Sequence, residues 1–122
     1  MASRILIVED EPNIVISLEL LLQQVGYEVR LAADGEQALA QLDAFPPDLV
    51  LLDLLLPGLG GFEVCQKIRE RSDWDRIRII IVSARAHEAE VSKGLALGAD
   101  AYITKPFSTR DLLDRVRSLL QA

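Results

Sequence analysis

The chain has 122 residues, enough for one domain with a real core, and half of it is apolar. Aromatic residues are only 5%, so that core must be aliphatic. A net charge of -6 argues against nucleic-acid binding by this domain, and a single cysteine excludes an internal disulfide and fits a reducing compartment. The first apolar run, five residues at most, is too short for a signal core or a membrane span, so the chain reads as soluble and cytoplasmic.

Residues 5–8 are a short β-branched run that reads as a first strand and ends in Glu9-Asp10-Glu11. Pro12 fits the first turn of a helix, where its missing N–H is no loss. Val15, Leu18, Leu22 and Val25 make one apolar stripe on that helix, and Gly26 reads as its stop. Residues 27–31 are a second strand. Asp34-Gly-Glu-Gln37 resembles a capping box and opens a short helix through Leu42. Pro46-Pro47 breaks the chain before residues 48–52, an apolar strand that stops abruptly at Asp53 and runs into Leu-Leu-Leu-Pro-Gly. Gly58, Gly60 and Gly61 form a turn into a helix carrying Phe62, Cys65 and Ile68 on one side. Residues 71–75 are a polar loop with Trp74 laid on its surface. Residues 77–82 are a fourth strand, 88–97 a helix stopped by Gly98, and 101–103 a short fifth strand. Ser108-Thr-Arg-Asp111 then caps a last helix with Leu112, Leu113, Val116 and Leu120 inward.

A strand apolar on both faces belongs in the middle of a parallel sheet. Five strands alternating with five helices require right-handed crossovers, and so an α/β doubly wound sheet with helices on both faces. The predicted strand order is 2-1-3-4-5, in a single domain over residues 1–122. Each notable polar residue then follows a strand: Glu9 and Asp10 the first, Asp53 the third, Ser83 the fourth, Lys105 the fifth. In such sheets ligands bind beyond the carboxyl ends of the strands, at the switch point between strands 1 and 3. Three converging carboxylates repel one another unless something positive intervenes. Oxygen-only ligands suit Mg2+ with substrate phosphate oxygens completing its shell. Ser83 offers a hydroxyl and Lys105 a point charge to phosphoryl oxygens, and a carboxylate that attacks phosphorus gives an aspartyl-phosphate.

The chain closely resembles the receiver domain of bacterial two-component response regulators, nearest in motif to the winged-helix transcriptional type. The resemblance covers essentially all of it. The motifs are Ile-Leu-Ile-Val-Glu9-Asp10-Glu-Pro, Asp53-Leu-Leu-Leu-Pro57-Gly58, Ile-Val-Ser83-Ala84-Arg85, Gly98-Ala-Asp100-Ala-Tyr102 and Lys105-Pro106-Phe107. Any one is weak; all five in order are specific. The resemblance implies a flavodoxin-like (βα)5 three-layer sandwich and a phosphorelay switch that catalyses only its own phosphoryl transfer. Asp53 would accept phosphate from a sensor histidine kinase or phosphotransfer protein. Glu9, Asp10, Asp53 and the Leu55 backbone carbonyl would hold Mg2+, and Ser83 and Lys105 the phosphoryl oxygens. Ser83 and Tyr102 would form the switch, and Lys105-Pro106 a cis peptide. Two departures stand out: Gly60-Gly61 replaces a common Asp-Gly, removing a helix cap, and Ser83 replaces a commoner threonine.

Output is expected through helix 4, strand 5 and helix 5. A phosphorylation-dependent homodimer there would pair Lys93 with Asp111 and Asp100 with Arg115, weakly, because Ala101 stands where that subfamily often has an acid. Leu55 and Arg85 occupy the positions that elsewhere hold a hydrolytic water. Leu55 has no polar atom and Arg85 cannot accept a proton, so dephosphorylation should be slow. Cys65 reads as a core residue and His87 as exposed. A haloacid-dehalogenase-type phosphatase needs a general acid where Leu55 stands. A flavodoxin-like electron carrier needs a hydroxyl-rich phosphate loop where Glu9-Asp10-Glu11 stands. The remaining alternative is an unphosphorylated scaffold. The chain ends just after its fifth helix, which fits either a stand-alone receiver or the input domain of a longer regulator.

Overall fold

The strand-forming runs are continuous blocks of Ile, Leu and Val, and the fold supplies each with an apolar layer on both sides. In the computed structural model, which describes residues 2–84 and 87–121, five parallel strands are ordered β2-β1-β3-β4-β5. The elements run β1 (Arg4–Val8), α1 (Pro12–Gln24), β2 (Glu28–Ala32), α2 (Gly35–Ala44) and β3 (Leu49–Leu52). After them come α3 (Gly61–Arg69), a 3₁₀ turn (Ser72–Trp74), β4 (Arg78–Ser83), α4 (Glu88–Ala96), β5 (Ala101–Thr104) and α5 (Thr109–Gln121). The predicted topology is the observed one.

Side chains alternate across a strand, so β1, β3 and β4 feed two separate cores. Leu6, Val8, Val50, Leu52, Ile79 and Ile81 pack with Ala38 and Leu42 of α2 and Val64, Cys65 and Ile68 of α3. Ile5, Ile7, Leu49, Leu51, Ile80 and Val82 pack on the opposite face with Leu18 and Leu22 of α1 and Leu112 and Val116 of α5. Cys65 is buried, and burial pushes its thiol pKa up. Among the described residues, no buried side-chain nitrogen or oxygen lacks a hydrogen-bond partner.

The helix signals act mostly as expected. Asp34 accepts from the Gln37 N–H at 2.8 Å, while Gln37 reaches back to the Ala33 N–H at 2.9 Å. The Asp111 N–H donates to Ser108 Oγ at 3.2 Å, the cap expected of α5. Gly60 caps α3 without a side-chain bond, as the missing acid implies.

Two expectations fail. Val25 lies beyond the end of α1 and is exposed, and the inward stripe is completed by Ile14 and Leu21. Trp74 is not on the surface: it is 4% exposed, within the α2–α3 core. Burying an indole removes about 150–250 Å² from water, at most about 4–6 kcal/mol at ~25 cal/mol/Å². That outweighs the cost of curling a polar segment around it. Arg71 then closes the outer side, its guanidinium 3.7 Å from the ring centroid and bonded to Asp43 and Asp73, each at 2.6 Å.

Candidate functional site

The site begins where the strand ladder stops. The Asp53 N–H donates to the Val8 carbonyl at 3.0 Å and the Glu9 N–H to the Ala32 carbonyl at 3.0 Å, so both acids stand one step past neighbouring strands. Glu9 and Asp53 are buried and Asp10 is exposed. One carboxylate oxygen from each of the three lies within 4.8 Å of the others. From β5, whose extension is fixed by the Lys105 N–H donating to the Ser83 carbonyl at 2.8 Å, the Lys105 ammonium reaches Glu9 Oε1 at 2.5 Å and Asp53 Oδ2 at 3.4 Å. The Lys105-Pro106 bond is cis, as expected.

Among the described residues the charges do not balance: three carboxylates gather about one ammonium, which pairs with Glu9 and Asp53. Burial raises the Glu9 pKa; the hydrogen bond from Lys105 opposes this, but the hydrogen bond and negative charge of Asp53 push the same way as burial. Burial pulls Lys105 down, yet its bond to Glu9 and the charges of Asp53 and Glu9 outweigh that and leave its pKa raised. The lysine is therefore held charged, while Glu9 gains less from the pair than an isolated ion pair would give it.

Oxygen-only donors, two of them buried beside a surplus of negative charge, fit a hard divalent cation. Glu9 Oε2 is already engaged by the backbone N–H groups of Asp10 at 3.1 Å and Glu11 at 3.3 Å, which fixes the turn that presents Asp10. Asp53 Oδ1 accepts from the Leu55 N–H at 3.3 Å, which turns the β3–α3 loop over the acid. Gly58, at φ +71°, lets that loop reverse where a side chain would be strained. The Leu55 side chain is half exposed beside the site.

Ser83 is the last residue of β4, fully buried, where the expectation placed it just after the strand. It lies on the same face as Ile81, which pairs in register with Tyr102 of β5. Ser83 and half-buried Tyr102 therefore occupy one face of adjacent strands, on the side of α4. Gly94 of α4 abuts this face at Ile81 and Tyr102: a methyl group there would lie 2.7 Å from Ile81 Cδ1 and 3.5 Å from Tyr102 Cδ2. The sequence reading overlooked Gly94, whose only trace is a glycine inside a helix.

The proposed dimer residues are scattered in role. Asp111 and Arg115 are exposed on α5, beside a depression also lined by Tyr102 and Phe107. The Lys93 ammonium sits 4.6 Å over the Phe62 ring. Asp100 is engaged within the chain, by Arg69 at 3.0 Å and the Ile79 N–H at 2.8 Å. His87 is exposed. Arg85 lies outside the described residues.

A family model, the response regulator receiver domain, matches residues 5–117. The sensory transduction protein RegX3 of Mycobacterium tuberculosis is 45% identical over 117 residues, covering 96% of this chain and 50% of its own length. The chain thus spans about half the length of that relative. A putative response regulator from Chloroflexus aurantiacus superposes with a TM-score of 0.95 at 35% identity, over 100% of both chains. The receiver domain of the sensor histidine kinase PA1611 from Pseudomonas aeruginosa, with magnesium coordinated in its active-site cleft, gives 0.91 at 31% identity, again over 100% of both.

Proposed function

Because this chain belongs to the response regulator receiver domain family, we propose that it is a phosphorylation switch in which Asp53 takes a phosphoryl group from a histidine kinase or phosphotransfer protein. The observation that carries this reading is the surplus of acid among the described residues: three carboxylates gathered within 4.8 Å of one another, with one ammonium paired to two of them. That cluster costs stability unless a cation uses it.

Asp10, Asp53 and the Leu55 carbonyl would hold magnesium, with Glu9 closing the acidic cradle. When bound, the ion supplies positive charge against the phosphoryl oxygens. An Asp53 carboxylate oxygen attacks phosphorus, the phosphorus–nitrogen bond of the donor phosphohistidine breaks, and the imidazole leaves with that electron pair. Lys105 moves from Glu9 toward the incoming oxygens, and Ser83 donates to another, so charge is met by groups already in place. The modified Asp53 carries an extra ~1.5–2 negative charges. Drawing Ser83 toward it frees space for Tyr102 to turn inward beside Gly94, which shifts a two-state equilibrium at the α4–β5–α5 face. That face would act on a partner or an output domain. With Asp100 engaged internally and Ala101 lacking charge, any homodimer there is weak. Leu55 covers the phosphoryl group with hydrocarbon, and Arg85 cannot serve as a base, so the group is retained.

Incubation with acetyl phosphate and magnesium, followed by intact-mass measurement, tests the reading. Wild type should gain one phosphate and Asp53→Asn none. An unmodified wild type would instead favour a scaffold role.

A further inference from the structure

The loop that joins β3 to α3 carries both Asp53 and the Leu55 carbonyl, and it is gripped by glycines that have no need of glycine's backbone freedom. Gly35, the first residue of α2, is buried and does not have positive φ. Alanine at such a position is compatible with the helix and would favour it. Space is what forbids it: a methyl group on Gly35 would lie 2.4 Å from the Leu59 carbonyl oxygen and 2.7 Å from Leu59 Cβ. The next residue of α2 reaches the same loop, since a methyl group on Gly58 would meet the Glu36 carboxylate at 3.0 Å.

From Leu59 the grip passes inward. Leu59 is packed against the α2–α3 core with Leu39 and Leu56, so it cannot simply swing away. Two residues on, Gly61 lies against the phosphoacceptor segment itself. A methyl group there would be 2.3 Å from the Asp53 carbonyl oxygen and 2.7 Å from Leu54 Cα, and the Gly61 N–H donates to the Leu54 carbonyl at 3.2 Å. Backbone thus meets backbone twice in series, from α2 to Leu59 and from Gly61 to Asp53. Backbone contacts of this kind cannot relax by changing a rotamer. The start of α2 is itself anchored by the reciprocal Asp34 and Gln37 bonds.

We propose that Gly35 is a positioning residue for the phosphoacceptor loop: its bare Cα lets α2 press on Leu59 and set where Asp53 and the Leu55 carbonyl stand for the metal. The inference rests on the metal-dependent reading of the site given above. It makes α2, whose side chains take no part in the acidic cluster, part of the machinery that tunes it.

Gly35→Ala should weaken magnesium binding about tenfold, as losing the support of a metal ligand does, and slow phosphate uptake from acetyl phosphate even at saturating magnesium. The readout of binding is the titration of the Leu55 amide resonance by magnesium alone. Gly26→Ala is the control: at φ +96° with nothing within 4 Å, it strains the chain far from the site and should leave magnesium affinity unchanged. If Gly35→Ala shows no cooperative urea transition, the wild type decides. Magnesium with beryllofluoride should then slow hydrogen exchange at the Gln37 and Ala38 amides of α2. A folded Gly35→Ala with wild-type magnesium affinity overturns the inference, as does unchanged exchange in α2. A wild type that takes up neither magnesium nor phosphate overturns the reading of the site, and this inference with it.

Discussion

At the amino end of the sheet, Asp100 accepts from Arg69 and from the Ile79 N–H, Arg78 stands 3.8 Å away, and Asp48 accepts from the Arg4 N–H at 2.7 Å. At the carboxyl end, Glu9 and Asp53 share Lys105, and Asp10 lies beside them with no ion pair of its own among the described residues. Both clusters join elements distant in sequence, and both are partly or fully shielded from water. They differ in balance. Around Asp100 the donors match the acid, and the product is a brace between α3, β4 and the turn before β5. Around Asp53 acid is in excess, so the cluster is held together by the rest of the fold and relieved only by an added cation. A shielded charge cluster is therefore read for function by its surplus, not by its size.

The sharpest way to break the comparison is at the nucleophile. Asp53→Asn should lower phosphate incorporation by more than about 10³-fold, as loss of a covalent nucleophile does, and remain folded because Asn keeps the shape. Radiolabel or intact mass reads this; appreciable labelling of the variant would move the acceptor elsewhere.

Next, Lys105→Met removes the counter-charge that the described residues give the three acids. Phosphate uptake should fall about 10²-fold, and stability in magnesium-free buffer by ~1–3 kcal/mol, below the cost of breaking a fully buried pair because the site is partly hydrated. Magnesium should bind more tightly and restore that stability. Calorimetric titration showing weaker magnesium binding would contradict the surplus-charge account.

The other end should answer in the opposite way. Asp100→Ala strips the acceptor from Arg69 and Ile79 and is expected to cost ~2–3 kcal/mol in urea unfolding, with phosphate uptake by the folded protein unchanged. A stable variant with altered phosphorylation would couple the two ends and spoil the contrast.

A smaller effect is expected at Leu55. Replacing it with Asn offers a polar hold for an attacking water and should hasten phosphate loss several-fold once donor is removed. Pairing it with Arg85→Glu should add to this. Equal decay in wild type and variants would remove Leu55 from the account.

The mildest test is pH. Glu9, raised above its ordinary 4.5, binds its proton more tightly folded than unfolded. Its contribution to stability is therefore present below pH 4.5 and lost as pH rises through the higher folded value. Lys105 is raised from 10.5, so its contribution is complete below that pH and lost above it. Stability should thus step down as pH rises from 4.5 through the raised Glu9 value, level off, and fall again above pH 10.5. Glu9→Gln should erase the first step and shrink the alkaline one, because Glu9 is also a cause of the raised Lys105 pKa, as followed by thermal unfolding across pH.

The strand blocks, the chain order of the helices and the fall of Glu9, Asp10, Asp53 and Lys105 at strand ends were all legible, because each is written in consecutive residues and their periodicity. From those ends the parallel topology follows, and with it the meeting of the acids. What the sequence left open concerns pairs that periodicity does not relate. Trp74 read as a surface residue because its chain neighbours are polar, yet a core lay beneath it and Arg71 could close over it. Asp100 read as a partner for a second subunit, yet Arg69 lies beside it across the fold. Gly35 stood within the capping box with no role of its own, and only the approach of Leu59 makes its missing side chain matter. Local pattern determines which face an element buries. Which groups then touch depends on the packing of elements far apart in the chain, and that was decided by the tertiary structure alone.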